Sequence, residues 1–150
     1  MSTFAALAVV LGALVTVNLL ARGLRSRRRA QAAVLPPGEV PRRRADGVPA
    51  RLFTDARVAG GPKPGGYSQG PAILLLTAQR VLLATEWGRA LEITGDHPGD
   101  LRWTGPGRVV LEGLHPCGRA RVRAELLLRD EDAWLDAARR VPGATVHRPV

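Results

Sequence analysis

The chain has 150 residues, 45% of them hydrophobic and 23% charged, with a formal net charge of +9. That length argues for one domain, and that apolar share is too high for a chain disordered throughout. A single cysteine, Cys117, excludes an intrachain disulfide framework and a thiolate-rich zinc centre.

The charge is uneven. Residues 1–51 carry nine arginines against Glu39 and Asp46, whereas residues 52–150 are close to neutral. The high net charge therefore describes the N-terminal part and not a basic groove on the folded part.

Residues 4–21 read FAALAVVLGALVTVNLLA, with no ionisable side chain. Eighteen residues at 1.5 Å rise make roughly 27 Å of helix, close to a hydrocarbon core of about 30 Å. Arg22, Arg25, Arg27, Arg28 and Arg29 follow at once, and no Lys or Arg precedes the run. A cleaved signal peptide carries its charge on the other side. The reading is a transmembrane helix at 4–21, N-terminus out and C-terminus in, because basic residues collect on the cytoplasmic side. The arginines set topology and are candidates for contact with anionic head groups.

Residues 22–49 read as a basic, Pro-rich linker. Pro36, Pro37 and Pro41 oppose a helix, and Arg42, Arg43 and Arg44 form a second candidate membrane contact. Residues 50–142 switch to short apolar runs between Gly and Pro. Strands are expected at 50–58, 72–77, 80–85, 89–93, 101–103, 108–113 and 119–128, with 60–71 a turn-rich loop. In the last strand Arg119, Arg121 and Arg123 alternate with Ala120, Val122 and Ala124, giving one wet face and a candidate partner face. Asp130 then reads as an N-cap, and Trp134, Leu135, Ala138 and Val141 form one apolar helical stripe ended by Pro142-Gly143. Residues 143–150 read as a C-terminal tail.

Two segments carry a resemblance. AILLLTAQRVLLATEWGRALEI (72–93) resembles the strand, Thr-x-x-Arg turn, strand and aromatic-Gly turn of bacterial pleckstrin-homology-like (PH-like) domains. RVVLEGLHPCGRARVRAELLLRDEDAWLDAARRV (108–141) resembles their final strands and Trp-bearing helix. The whole chain resembles small actinobacterial membrane proteins with one span and a PH-like domain. The resemblance implies a mainly β fold, a bent barrel or sandwich of about seven antiparallel strands. One C-terminal helix would plug its open end through Trp134 and Leu135.

The residues offer little chemistry. His115 lies two positions from Cys117, but Pro116 and Gly118 make a turn there, and no base-and-orienter pair is evident. His97, His115 and Cys117 lack a fourth ligand and compact spacing for a metal. The glycine-rich loop holds Lys63 but no GxxxxGK[ST] pattern, and with only Arg57 nearby it offers few groups to an inositol phosphate. Aromatic content of 4% gives nucleic acid little to stack on.

The expectation is therefore a membrane-anchored binding or scaffold protein, not an enzyme, with no cofactor, no metal and no nucleic-acid partner. It would sit in the cell membrane and present its domain on the cytoplasmic side to a protein partner. The alternative is an anionic-lipid surface sensor or an accessory subunit of a membrane complex.

Overall fold

Helix α1 (Thr3–Ala32) is 30 residues long, and none of its residues is buried. Its apolar stretch has a mean hydropathy of 2.4, and among the described residues it is the one helix long and apolar enough to cross a membrane. The structure, a computed structural model, describes residues 3–55 and 67–148. Arg57 and Lys63, weighed above for anion binding, lie outside the described residues.

After α1 come β1 (Arg43–Thr54), β2 (Tyr67–Leu76), β3 (Val81–Thr85) and β4 (Gly88–Ile93). β5 (Gly99–Gly105), β6 (Arg108–Leu114), β7 (Arg121–Leu127), α2 (Glu131–Ala138) and β8 (Ala144–His147) follow. The neighbours run β4-β3-β2-β1-β7-β6-β5-β8, and β4 also meets β6 through Glu92 and Leu114. That last pairing closes β1, β2, β3, β4, β6 and β7 into a six-stranded barrel. β5 and β8 extend the sheet from β6. The expected mainly β architecture, with a long apolar N-terminal helix and a short C-terminal one, is the one observed.

Period-two alternation builds the interior. Val48, Ala50 and Leu52 on β1, Leu74 and Leu76 on β2, and Val122, Ala124 and Leu126 on β7 all turn into one core. α2 enters that core with Trp134 at 6% exposure and Leu135 at 0%, together with Ala138 and Val141. The guanidinium of Arg43 lies 5.6 Å from the Trp134 ring centroid, so a charge from β1 covers the outer face of the plug.

Four expectations are corrected. First, the segment read as a linker is mostly regular structure, because α1 continues to Ala32 and β1 begins at Arg43. Arginine is a good helix former, so the Arg22–Arg29 run extends the helix that precedes it. Second, β2 begins at Tyr67, so the last five residues of the expected loop pair with β1. Third, the Asp130 side chain makes no cap hydrogen bond. Asp130 takes φ 55°, a left-handed turn tolerated by Asp, and its carbonyl accepts from the amides of Ala133 (3.0 Å) and Trp134 (3.2 Å). Fourth, residues 144–147 form β8, parallel to β5.

The β8 turn needs its glycine. Gly143 has φ 79°, and a Cβ there would come within 2.0 Å of the Thr94 carbonyl oxygen. Arg148 then ties the end of β8 to α2, with Nη2 2.9 Å from Asp136 and Nη1 3.4 Å from Asp132. In the first turn of α2, Glu131 accepts the Gly107 amide at 3.0 Å. That bond holds the Glu131 carboxyl below the usual carboxylate range. Its contribution to stability is therefore present above the unfolded value and is lost as pH falls through the lowered folded one.

Removing the plug empties a filled site. Trp134→Ala should cost about 3–5 kcal/mol, the usual range for a core aromatic, measured as a shift in the denaturant midpoint. An unchanged midpoint would contradict the packing of α2 into the barrel.

Candidate functional site

Two surfaces of the barrel are set apart from an ordinary wet wall. The first is the outer face of β2 and β3. Ile73, Leu75, Leu82 and Ala84 point away from the barrel interior yet are buried, because Ala33 packs on them with Ala32 and Leu35 alongside. Both faces of these strands are therefore apolar, which is why their sequences read as unbroken hydrophobic runs.

Polar contacts fix this junction. Arg89 on β4 donates from Nε to the Ala32 carbonyl at 3.2 Å and from Nη2 to the Val34 carbonyl. A cation thus meets the unsatisfied carbonyls and negative dipole end of α1. Arg80, in the β2–β3 loop, grips Glu39 with Nη2 at 2.6 Å and Nε at 3.0 Å, and also pairs with Glu92. The side chains of Arg80, Glu39 and Glu92 are only 20%, 15% and 13% exposed. Paired first with Glu39 and then with Glu92, the Arg80 guanidinium is held above its ordinary value.

Thr77 makes this loop without the favoured Asn-Gly pair. Its hydroxyl oxygen accepts from the amides of Gln79 (3.0 Å) and Arg80 (3.1 Å), and the hydroxyl donates to Glu39 at 3.2 Å. The loop between Leu76 and Val81 is four residues, not the two expected from sequence. The Thr-x-x-Arg turn is thus the element that holds the chain leaving α1.

The second surface is a groove of about 410 Å³ on the outer wall formed by β1, β2, β6 and β7, with Thr104 of β5 at its side. Arg51, Gln69, Thr104, Arg108, Arg123 and Leu127 are among its lining residues. Arg51 also lies 5.3 Å from the Tyr67 ring centroid, and Tyr67 meets Phe53 at 6.0 Å between ring centroids. In the closed ring β7 is three strands from β3 in either direction. The groove therefore opens on the wall opposite α1.

The arginines singled out from sequence separate into different roles. Arg22, Arg25, Arg27, Arg28 and Arg29 all lie on α1, and Arg25 reaches Glu86 of the β3–β4 turn at 3.4 Å. Arg42 is exposed, Arg43 covers Trp134, and Arg44 holds Asp46 at 2.9 Å. The 42–44 cluster is thus partly spent on the barrel itself. Of the β7 row, Arg123 lines the groove and pairs with Glu125 at 3.4 Å, while Glu112 stands 4.0 Å away. Arg121 is exposed on the same strand, and Arg119 lies in the turn before it.

Cys117 is exposed, and its backbone amide donates to His115 Nδ1 at 3.1 Å. That contact engages the nitrogen in a turn and not with the thiol. Burial holds the His115 imidazole below its ordinary value. Among the described residues no group of three or more His, Cys, Asp or Glu is placed to hold a metal ion. Sequence reasoning passed over Arg80, Arg89 and Glu39. The one available signal was the Thr-x-x-Arg turn, whose acidic partners sit 41 and 12 positions from Arg80.

No family model matches this chain, and neither the curated proteins nor the solved structures contain a significant match.

Arg80→Ala leaves two largely buried carboxylates without their cation. It should lower barrel stability by about 1–3 kcal/mol and speed protease cleavage within residues 34–42. Wild-type values for both would contradict the clamp.

Proposed function

We propose that this chain is a single-span membrane protein whose PH-like barrel is a binding or scaffold module for a protein partner at the inner membrane face. The observation that carries the reading is the opposition of two walls: β2–β3 covered by the end of α1, and the groove on the far side. Ala33 packs near Leu82 and Ala84, and Arg25 pairs with Glu86, so α1 runs alongside β3. With α1 along the bilayer normal, the groove faces sideways, parallel to the membrane. A neighbouring protein meets that wall more readily than a lipid head group does.

The groove has the composition of a protein contact. Exposed Leu127 gives apolar area, and Arg51, Arg108 and Arg123 supply planar donors against the single lining carboxylate, Glu125. An acidic, extended segment suits it best. Arg-rich turns on α1 set the orientation, with the barrel cytoplasmic. The PH-like assignment is supported by the closed barrel, the C-terminal helix plug and the Thr77–Arg80 turn. β8, parallel at the sheet edge, is an addition to the seven antiparallel strands that the resemblance implies.

The lipid-sensor reading keeps one observation. Arg22, Arg27 and Arg28 remain exposed on α1 just past the apolar stretch, where each charge would contribute about 1 kcal/mol toward an anionic surface. Arg43 and Arg44, being engaged on the barrel, add less to it.

A photo-crosslinking residue at Gln69 or Leu127, in the full chain within membranes, should give a discrete protein adduct. The double change Arg51→Glu and Arg123→Glu should remove that adduct. Adducts to lipid alone would reject the protein partner and favour the sensor.

A further inference from the structure

We propose that Trp87, at the tip of the β3–β4 hairpin, is a second membrane anchor that rests in the head-group layer beside α1. This deepens the reading above and rests on α1 being a membrane span.

Thr85 pairs with Gly88, leaving Glu86 and Trp87 as a two-residue tip. The Thr85 hydroxyl oxygen accepts the Trp87 amide at 3.2 Å and the hydroxyl donates to the Gly88 carbonyl at 3.3 Å. Gly88 supplies the positive φ, at 123°. The tip is thus held firmly, yet Trp87 is 58% exposed. An exposed Trp on a rigid tip is unusual in a chain with three Trp, where Trp134 is buried and Trp103 packs against the core.

Its height along α1 follows from the contacts. The Arg25–Glu86 pair puts the tip level with residue 25. Residue 25 is four positions beyond Ala21, the end of the apolar stretch, or about 6 Å of rise. Each polar layer of a bilayer is about 5–8 Å thick. The strand supports the same direction. From Ala32 back to Arg25 the helix rises about 10 Å, and from Leu82 on to Glu86 the strand rises about 13 Å. The hairpin therefore climbs α1 toward its apolar part, and Trp87 stands beside Glu86 at the upper end. Leu24, also 58% exposed, lies at the same level.

Trp is suited to that zone, with an apolar ring for the acyl boundary and an N–H for the wet side. The occupant of this surface is the protein's own bilayer. α1 and Trp87 together would fix the rotation of the barrel about the helix axis, which one span cannot do.

The test uses the full chain in vesicles of phosphatidylcholine and phosphatidylglycerol whose acyl chains carry bromine near the glycerol. Trp87→Ala is compared with wild type, and Trp134 emission reports an intact core in both. The wild type should lose a fluorescence component to bromine that the variant lacks, with a blue-shifted difference spectrum. Equal quenching of both proteins, while both stay with the vesicles through alkaline extraction, would overturn the Trp87 anchor and leave the span standing. Release of both proteins by that extraction would overturn the span, and the anchor with it.

Discussion

The seating of the end of α1 on the outer face of β2 and β3 is the contact on which the rest of the structure depends. Those strands carry Ile73, Leu75, Leu82 and Ala84 on the side away from the barrel core. Left bare, they would form a contiguous apolar patch of the kind that drives association. Ala33 and its neighbours cover them, and Arg89 satisfies the carbonyls that α1 leaves open. Arg80 then holds Glu39 in the short crossing to β1. Apolar burial supplies the attraction, and the two arginines fix the register.

This seating changes what the N-terminal segment does. A free tether would raise the local concentration of the domain near a membrane but leave its orientation open. A docked barrel has a fixed set of exposed walls. The ring order places β7 opposite β3, so the wall that carries Arg123 is the one farthest from α1. Under the proposed function, that pre-set orientation would lower the entropy lost on binding a partner.

Much of the fold could be read in the residues. The apolar stretch 4–21, the period-two pattern of β7 and the 3.6-residue stripe of α2 each involve one element and one environment. The failures share a cause, which is that a long-range partner decided the local structure. β2 and β3 read as apolar strands, and nothing local says that Ala33 and its neighbours cover their outer face. Arg22–Arg29 read as the start of a linker because charge is visible and helix continuation is not. β8 is four residues after a Pro-Gly pair and gains its place only by pairing with β5. Trp87 falls in the aromatic-Gly turn of the sequence, and only the Arg25–Glu86 pair shows where that tip points. The arginines of 42–44 looked alike in sequence, yet Arg43 is engaged by Trp134 and Arg44 by Asp46, while Arg42 is exposed.

The barrel is docked on the helix rather than hung from it. Spin labels at Arg28→Cys and Arg102→Cys, on a Cys117→Ser background in lipid, measure this directly by dipolar electron resonance. Docking predicts one narrow distance distribution, since α1 and the barrel then move as one body. A broad distribution would contradict it.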